Sequence, residues 1–525
     1  MIRRAALLLL GLLLALGSAS RGQAQDAYAL LASPSFDNIR QGVQELGRSG
    51  DSRALPVISA LQDGELFARV DHALFIRSAF GFIDAKTGES APDVTAAQLK
   101  KVRLNNPVRE AIEQTLGSLR LFDPDPDQRR AAADAVFHGH DPLALSALDR
   151  AIAAERDPVV RRAMTEARAT ALLSAPDASA QDKLASVDII RARSGADSRA
   201  ILEPLRDQPP PLGTAVDAAM RSIDQQLQFW GVIQSVYYGI SLGSVLLLAA
   251  AGLAITFGVM GVINMAHGEM VMLGAYAAFV VQQALGPAWT GTSIVLAVPA
   301  AFVISGGLGI VIERTLIRWL YGRPLETLLA TWGLSLVLQQ AVRSIFGPDN
   351  RPVQPPGWMS GDFHLGGLTL TLNRLVIIVF AALVLAGLMA VLRLTPLGLR
   401  MRAVTQNRTM AAAVGIATPW IDAFTFGLGS GVAGMAGVAL SQIDNVSPNL
   451  GQSYIIDSFM VVVFGGVGNL WGTAIGALTL GIVNKFLEPV AGAVLGKIAV
   501  LVMVILFIQR KPRGLVPLRG RAAEA

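Results

Sequence analysis

A chain of 525 residues with 52% hydrophobic and only 16% charged residues is too apolar for a soluble multidomain protein and reads as largely membrane-embedded. Its net charge of +5 is scattered over helices and membrane-flanking loops without interleaved aromatics, which excludes a nucleic-acid surface. It has no cysteine, so any exported part must stand on its core without disulfides.

The opening, MIRRAALLLLGLLLALGSAS, has basic Arg3 and Arg4, an apolar run from Ala5 to Leu16, and then small residues. This is secretory-signal anatomy over 1–24, and Ser18-Ala19-Ser20 or Gly22-Gln23-Ala24 could serve as the cleavage site. The run is shorter than the roughly 20 residues of a relaxed spanning helix, and an uncleaved anchor is the alternative. Either way, the following domain is expected outside the cytoplasm.

Residues 26–228 carry most of the charge and read as an exported, periplasmic helical domain. Asp125-Pro126 with Arg129-Arg130-Ala131 recurs as Asp157-Pro158 with Arg161-Arg162-Ala163, and Asp51-Ser52-Arg53-Ala54-Leu55 recurs as Asp197-Ser198-Arg199-Ala200-Ile201. Asp caps free N–H groups and Pro tolerates a first turn, so each match marks a helix start. Stacked helical pairs of the HEAT kind would produce this pattern, and so would an irregular bundle of Ala/Arg/Asp-rich composition. His138 and His140 lack further ligands at metal spacing and read as a solvated turn. Gln208-Pro209-Pro210-Pro211 is expected to end the domain shortly before its link to the membrane part.

From Gln228 the apolar runs come in series, and the fold class is all-α: a polytopic membrane helix bundle over 229–515, then a cytoplasmic tail at 516–525. Spans are expected near Val232–Phe257, Met265–Val281, Ser293–Ile312, Leu325–Ile345, Leu375–Leu394, Ile421–Leu440, Ile455–Phe464, Thr473–Phe486 and Val494–Ile508, about nine crossings. The basic loops at Arg314 to Arg323, Arg393 to Arg408 and Arg510 to Arg521 share one side only if the crossings between them are even in number, as this count gives. The first span then starts outside, in agreement with the signal. A re-entrant Ile455–Phe464 would change the parity.

Two glycine-broken stretches interrupt the apolar pattern. The first runs from Phe257-Gly258 through Gly261, Asn264, His267 and Gly268 to Glu269, the only ionised residue between Asp224 and Glu313. The second is Phe464-Gly465-Gly466-Val467-Gly468-Asn469. A backbone broken at membrane depth needs protein or a watery cavity to satisfy its N–H and C=O groups, and paired breaks point to a transport path. Tight turns at the cytoplasmic surface, where Glu and His cost little, are the alternative.

Tyr238-Gly239-Ile240-Ser241-Leu242-Gly243-Ser244 and Ile263-Asn264-Met265-Ala266-His267-Gly268-Glu269 together resemble the N-terminal signature of the branched-chain amino acid ABC transporter permeases, the LivH type. Leu397 to Arg408, with Met410-Ala411-Ala412 and Gly415-Ile416, resembles that family's ATPase-docking loop, and Phe464 to Gly472 its late glycine motif. The signal and the large extra domain depart from the LivH pattern, an arrangement similar to the urea ABC transporter permeases.

The resemblance implies a transport subunit, not an enzyme. It would work with a second, LivM-type permease, two ATPase subunits and a periplasmic binding protein in the inner-membrane bilayer. No cofactor is bound directly and ATP is used by the partners, in keeping with the lack of a G-x-x-x-x-G-K-[ST] loop; Gly492 to Ile498 has the wrong glycine spacing. The candidate path comprises Gly258, Gly261, Asn264, His267, Gly268, Glu269, Asn445, Gly465, Gly466, Gly468 and Asn469. The candidate coupling set is Arg402, Ala403, Asn407, Arg408, Met410, Ala411, Ala412 and Gly415, in which a short helix at Met410 to Ala413 would seat on the ATPase. Urea needs a neutral, tightly shaped path, with asparagines as lining and with Glu269 and His267 holding the break together. Branched-chain amino acids or short amides, a passive channel with a sensor domain, and a membrane anchor for functional repeats are the competing readings.

Overall fold

The structure, a computed structural model, describes residues 27–49, 53–78, 81–95 and 98–516. The expected signal segment, Asp51-Ser52 and nearly all of the expected tail lie outside the described residues. The chain divides into two units, Met1–Leu227 and Gln228–Ala525.

The first unit contains helices α1 (Phe36–Arg48) and α2 (Ala54–Gln62), strands β1 (Leu66–Arg69), β2 (Leu74–Ser78), β3 (Gly81–Asp84) and β4 (Leu99–Lys101), and helices α3 (Asn106–Arg120), α4 (Pro126–Gly139), α5 (Leu145–Ala154), α6 (Pro158–Ser174), α7 (Ala180–Arg193) and α8 (Ala196–Leu202). The strands form an antiparallel sheet in the order β3-β2-β1-β4, with Phe67 opposite Phe75. This corrects the all-α expectation. Two short apolar runs, Leu66-Phe67-Ala68 and Leu74-Phe75-Ile76, flank a turn in which Asp71 accepts from Ala73 N at 3.2 Å and His72 takes a positive φ of 65°. Local turn chemistry closes the hairpin within an otherwise helix-forming composition.

Sheet, α1, α2 and α3 enclose one core around Leu31, Ile58, Leu61 and Ile112. A second core gathers Phe137, Leu148, Met164 and Ile190 from α4 to α7. Burying each such side chain contributes about 1.5–3 kcal/mol. Val216, Ala219, Met220 and Ile223 also belong to it, so the chain stays in this unit beyond the prolines at 209–211.

The two Asp-Pro matches fold alike. Asp125 caps α4 by accepting from Asp127 N at 2.9 Å, and Asp157 caps α6 by accepting from Val159 N at 2.8 Å. Arg129 then donates back to the Asp123 carbonyl at 2.7 Å, as Arg161 does to Glu155 at 3.1 Å. Asp197 differs: Gly195, at φ 97°, occupies the cap of α8 and Asp197 lies in its first turn.

Among its described residues the second unit is helical apart from one hairpin. Helix α9 (Leu212–Met260) is followed by α10 (His267–Leu285), α11 (Thr290–Thr315), α12 (Pro324–Phe346), the hairpin β5 (Asp362–Leu365) and β6 (Leu368–Thr371), then α13 (Leu372–Leu394), α14 (Pro396–Gln406), α15 (Arg408–Ala413), α16 (Thr418–Leu440), α17 (Leu450–Gly465) and α18 (Leu470–Arg510). Among the described residues five helices are long and apolar enough to cross a membrane, including Leu372–Leu394 and Thr418–Leu440. The expected span near Ile455–Phe464 lies in α17, which has only 16 residues, and the last two expected spans are halves of α18, bent at Gly492 where φ is 78°.

Helices α11 and α16 pack backbone to backbone. A Cβ on Gly427 would lie 3.1 Å from the Gly306 carbonyl, and one on Gly434 would lie 2.7 Å from the Ala301 carbonyl. Small residues at such spacing let membrane helices approach closely where lipid supplies no hydrophobic drive. The hairpin was not anticipated, although Gly366-Gly367 is a turn signal. It is clamped to α9 by Gln234, which exchanges two hydrogen bonds with Thr369 at 2.9 and 3.0 Å, and by the Tyr237 hydroxyl, which donates to the Thr371 carbonyl at 2.8 Å.

Candidate functional site

The first break is real: α9 stops at Met260, Gly261 turns the chain at φ 67°, and α10 restarts at His267. Asn264, His267 and Glu269 are buried rather than exposed at a surface turn. Asn264 Oδ1 accepts from Ala266 N at 3.0 Å, and Met265 N donates to Thr331 Oγ1 at 3.1 Å, which satisfies part of the freed backbone. Glu269 Oε1 accepts from Ser335 Oγ and Gln339 Nε2 on α12, both at 2.8 Å. The acid is therefore met by neutral donors.

His267 Nε2 lies 2.9 Å from the Ala249 carbonyl. A carbonyl only accepts, so Nε2 carries the proton and Nδ1 is left as an acceptor. His267 Nδ1, Glu269 Oε2 and Asn264 Nδ2 are buried without a hydrogen-bond partner. Gly268 is required by packing, since a Cβ there would lie 2.4 Å from the Gly451 carbonyl.

In the second break, α17 ends at Gly465, and Gly466 and Gly468 take φ of 107° and 78°. Asn469 caps α18, accepting from Trp471 N at 3.0 Å, and its Nδ2 donates to the Val516 carbonyl at 3.2 Å. The segment after α18 covers the break: Leu515 N donates to the Phe464 carbonyl at 2.9 Å and Val516 N to the Gly465 carbonyl at 3.1 Å. The two breaks touch, because a Cβ on Gly258 would lie 2.5 Å from the Gly468 Cα.

A cavity of about 810 Å³ lies beside that contact, lined by Gly258, Gly468 and Asn469 together with Gly398, Arg402 and Gln406 of α14. Gly258 from the first break and Gly468 and Asn469 from the second thus share a space with the coupling candidate Arg402. Asn264, His267 and Glu269 do not line it. Asn445 lies apart from both groups. It is exposed and lines a cavity of about 300 Å³ with Asn373, Arg374, Gln442 and Asp444.

The coupling candidates form a compact turn of helix. Asn407 caps α15 by accepting from Met410 N at 2.9 Å, Ala411 packs inward, and Met410 is 60% exposed. Ala403 is half-buried, Ala412 is exposed, and Gly415 ends the turn at φ 90°. Sequence reasoning missed the partner of Arg408, the fully buried Asp422 of α16. A lone acid in an otherwise apolar helix was the available signal. The Gly492 to Ile498 stretch is a bent helix whose Lys497 pairs with Asp457 at 3.2 Å. Among the described residues no group of acidic or histidine side chains could hold a metal.

Long apolar helices, close glycine packing and two touching breaks define a multi-pass membrane transport protein. Residues 235–509 match the family described as the branched-chain amino acid transport system permease component, and the chain belongs to that family. It is a transport permease, not an enzyme, and permeases of this family bind no cofactor of their own.

The chain is similar to the high-affinity branched-chain amino acid transport system permease protein BraD of Pseudomonas aeruginosa, 29% identical over 299 residues, covering 55% of this chain and 97% of the relative. It is 30% identical over 299 residues to LivH of Escherichia coli K12, covering 55% and 96%. A more distant relative is the ribose import permease protein RbsC of Haemophilus influenzae, 25% identical over 257 residues, covering 47% and 74%. No solved structure matches.

Proposed function

We propose that the chain is the permease subunit of an ABC importer that moves urea across a bacterial inner membrane by alternating access. A second, LivM-type permease, two ATPases and a periplasmic binding protein complete the machine, and the ATP is hydrolysed by the partners. The observation that carries urea is the first break: within Asn264 to Glu269, two acceptor atoms and one donor are buried without partners. Urea offers N–H donors and one carbonyl acceptor, the complement of that set, and it is small enough for a glycine-walled path. The large first unit, which lies outside the region matched to the LivH-type relatives, supports the urea branch, UrtB-type, on architecture.

A second reading, branched-chain amino acids, is favoured by the cavity beside Asn445. Arg374, stacked over Tyr238 at 4.7 Å, and Asp444 both line it, and neither is in an ion pair among the described residues. A guanidinium and a carboxylate would suit a zwitterion. Labelled-urea and labelled-leucine uptake, with and without this chain and with the partner ATPases inactivated, separates the readings. Urea uptake that needs both supports the proposal. Uptake that needs the chain but no ATPase activity indicates a passive channel, and loss of leucine uptake alone overturns urea.

In this reading about nine segments cross the bilayer, the first unit is exported behind a cleaved signal, and the cavity at Gly258 and Gly468 opens toward the cytoplasm. The natural lack of cysteine makes single-cysteine labelling a clean test of that topology. The first unit is read as degenerate HEAT-like pairs, supported by the matching starts of α4 and α6, and as the surface that docks the binding protein. Deleting residues 26–211 behind the signal should abolish binding-protein-dependent uptake; normal uptake removes the idea.

A further inference from the structure

We infer that Asp422 is a positioning residue for energy coupling, and that its bidentate pair with Arg408 is the tie through which α15 moves the α11–α16 helix pair. The inference rests on the proposed seating of the 396–418 loop on an ATPase, and it names the element of the bundle that receives the motion.

Arg408 opens α15, and both its terminal nitrogens reach the Asp422 carboxylate, Nη1 to Oδ1 at 3.3 Å and Nη2 to Oδ2 more closely. The two ends of the pair lie in different surroundings. The Arg408 side chain is 44% exposed, whereas the Asp422 side chain is 0% exposed. A carboxylate taken wholly out of water is tolerated only while its partner stays in place, so the pair resists separation. A planar guanidinium gripping two oxygens also fixes orientation, which a single contact does not.

The tie continues inward. The Arg408 guanidinium lies 4.7 Å over the Tyr321 ring, and the Tyr321 hydroxyl donates to Glu313 Oε1 of α11 at 2.9 Å. Glu313 is buried, and its second oxygen has no partner. Asp422 and Glu313 therefore anchor one surface arginine to the two helices whose backbones touch at Gly306 and Gly427. Helices packed at that distance cannot slide independently and would move as one body.

The test uses the assembled transporter in proteoliposomes with its loaded binding protein, and it reads solute moved per ATP hydrolysed. Asp422→Asn and Arg408→Gln should each lower that ratio about tenfold, and the double variant should fall no further, because the two residues act as one unit. Arg408→Lys keeps the charge but loses the fork, and should lie between the parent and Arg408→Gln. An assembled single variant whose ratio stays within about twofold of the parent overturns the tie, as does a double variant whose loss is the product of the singles. If Asp422→Asn does not assemble, the exposed-side changes Arg408→Gln and Arg408→Lys decide by the same ratio. In parallel, Met410→Cys is cross-linked toward the ATPase. With no cross-link the underlying seating of the loop fails, whereas a cross-link with an unchanged ratio fails the tie alone.

Discussion

Gly258 and Gly468, one from each glycine-broken stretch, meet so closely that a single Cβ on the first would lie 2.5 Å from the Cα of the second. A backbone atom cannot swing aside as a flexible side chain can. Gly258→Ala should therefore push the breaks apart at the wall of the 810 Å³ cavity and lower uptake at least about tenfold in an assembled transporter. Gly261→Ala meets nothing within 4 Å and strains only its own positive φ, so it should cost about 1 kcal/mol and leave more activity. Equal uptake by the two variants would sink the argument.

The donors on Glu269 make a second prediction. Gln339→Leu removes one of two hydrogen bonds to a buried carboxylate oxygen. Detergent-solubilised protein should lose about 1–3 kcal/mol of stability, read as a lower melting temperature. Glu269→Gln keeps the shape and should lose less.

In the first unit, Arg129 beside Glu155, at 2.6 Å, holds that carboxyl down to about 2. The backbone N–H groups of Arg156 and Asp157 assist at 2.9 Å each. A folded-state value below the unfolded one stabilises above the unfolded pKa, and the stabilisation is lost as pH falls from about 4.5 toward 2. Amide exchange in α4 and α6 of the whole chain should accelerate through that window, and Glu155→Gln should flatten the change while costing roughly 1–3 kcal/mol at neutral pH. A variant with the same acid profile as the parent contradicts this.

Arg374 and Asp444 bear on the substrate. If urea is carried, Arg374→Gln and Asp444→Asn should change its uptake by less than about threefold, since a neutral solute gains little from either charge. A loss of leucine transport of tenfold or more in both would assign the cavity to a zwitterion.

The two breaks were legible because glycine and lone polar residues stand out against an apolar background, and the short helix at Met410 because small residues lie between a cap and a glycine. What the sequence hid is tertiary. The pairing of Glu269 with Ser335 and Gln339 joins residues some seventy positions apart. Asn445 looked like a companion of Asn264 and Asn469 by type, yet it lines a separate cavity. Asn469 is fixed as a helix cap, a role its glycine-rich neighbourhood foreshadows, although as the cap of α18 it still reaches the cavity wall. The small sheet went unseen because strands of three to five residues leave too short a period against an alanine-rich helical trend.

The cover over the second break also bears on biosynthesis. Asn469 finds its acceptor at Val516, 47 positions later in the order of synthesis, and the Phe464 and Gly465 carbonyls wait for the same segment. Until the ribosome has released residues 515 and 516, that wall is unfinished and its carbonyls are open to other donors. Closure of the second break is thereby tied to the synthesis of Leu515 and Val516, and a nascent chain stalled upstream of Leu515 would have its helices made and that break uncovered.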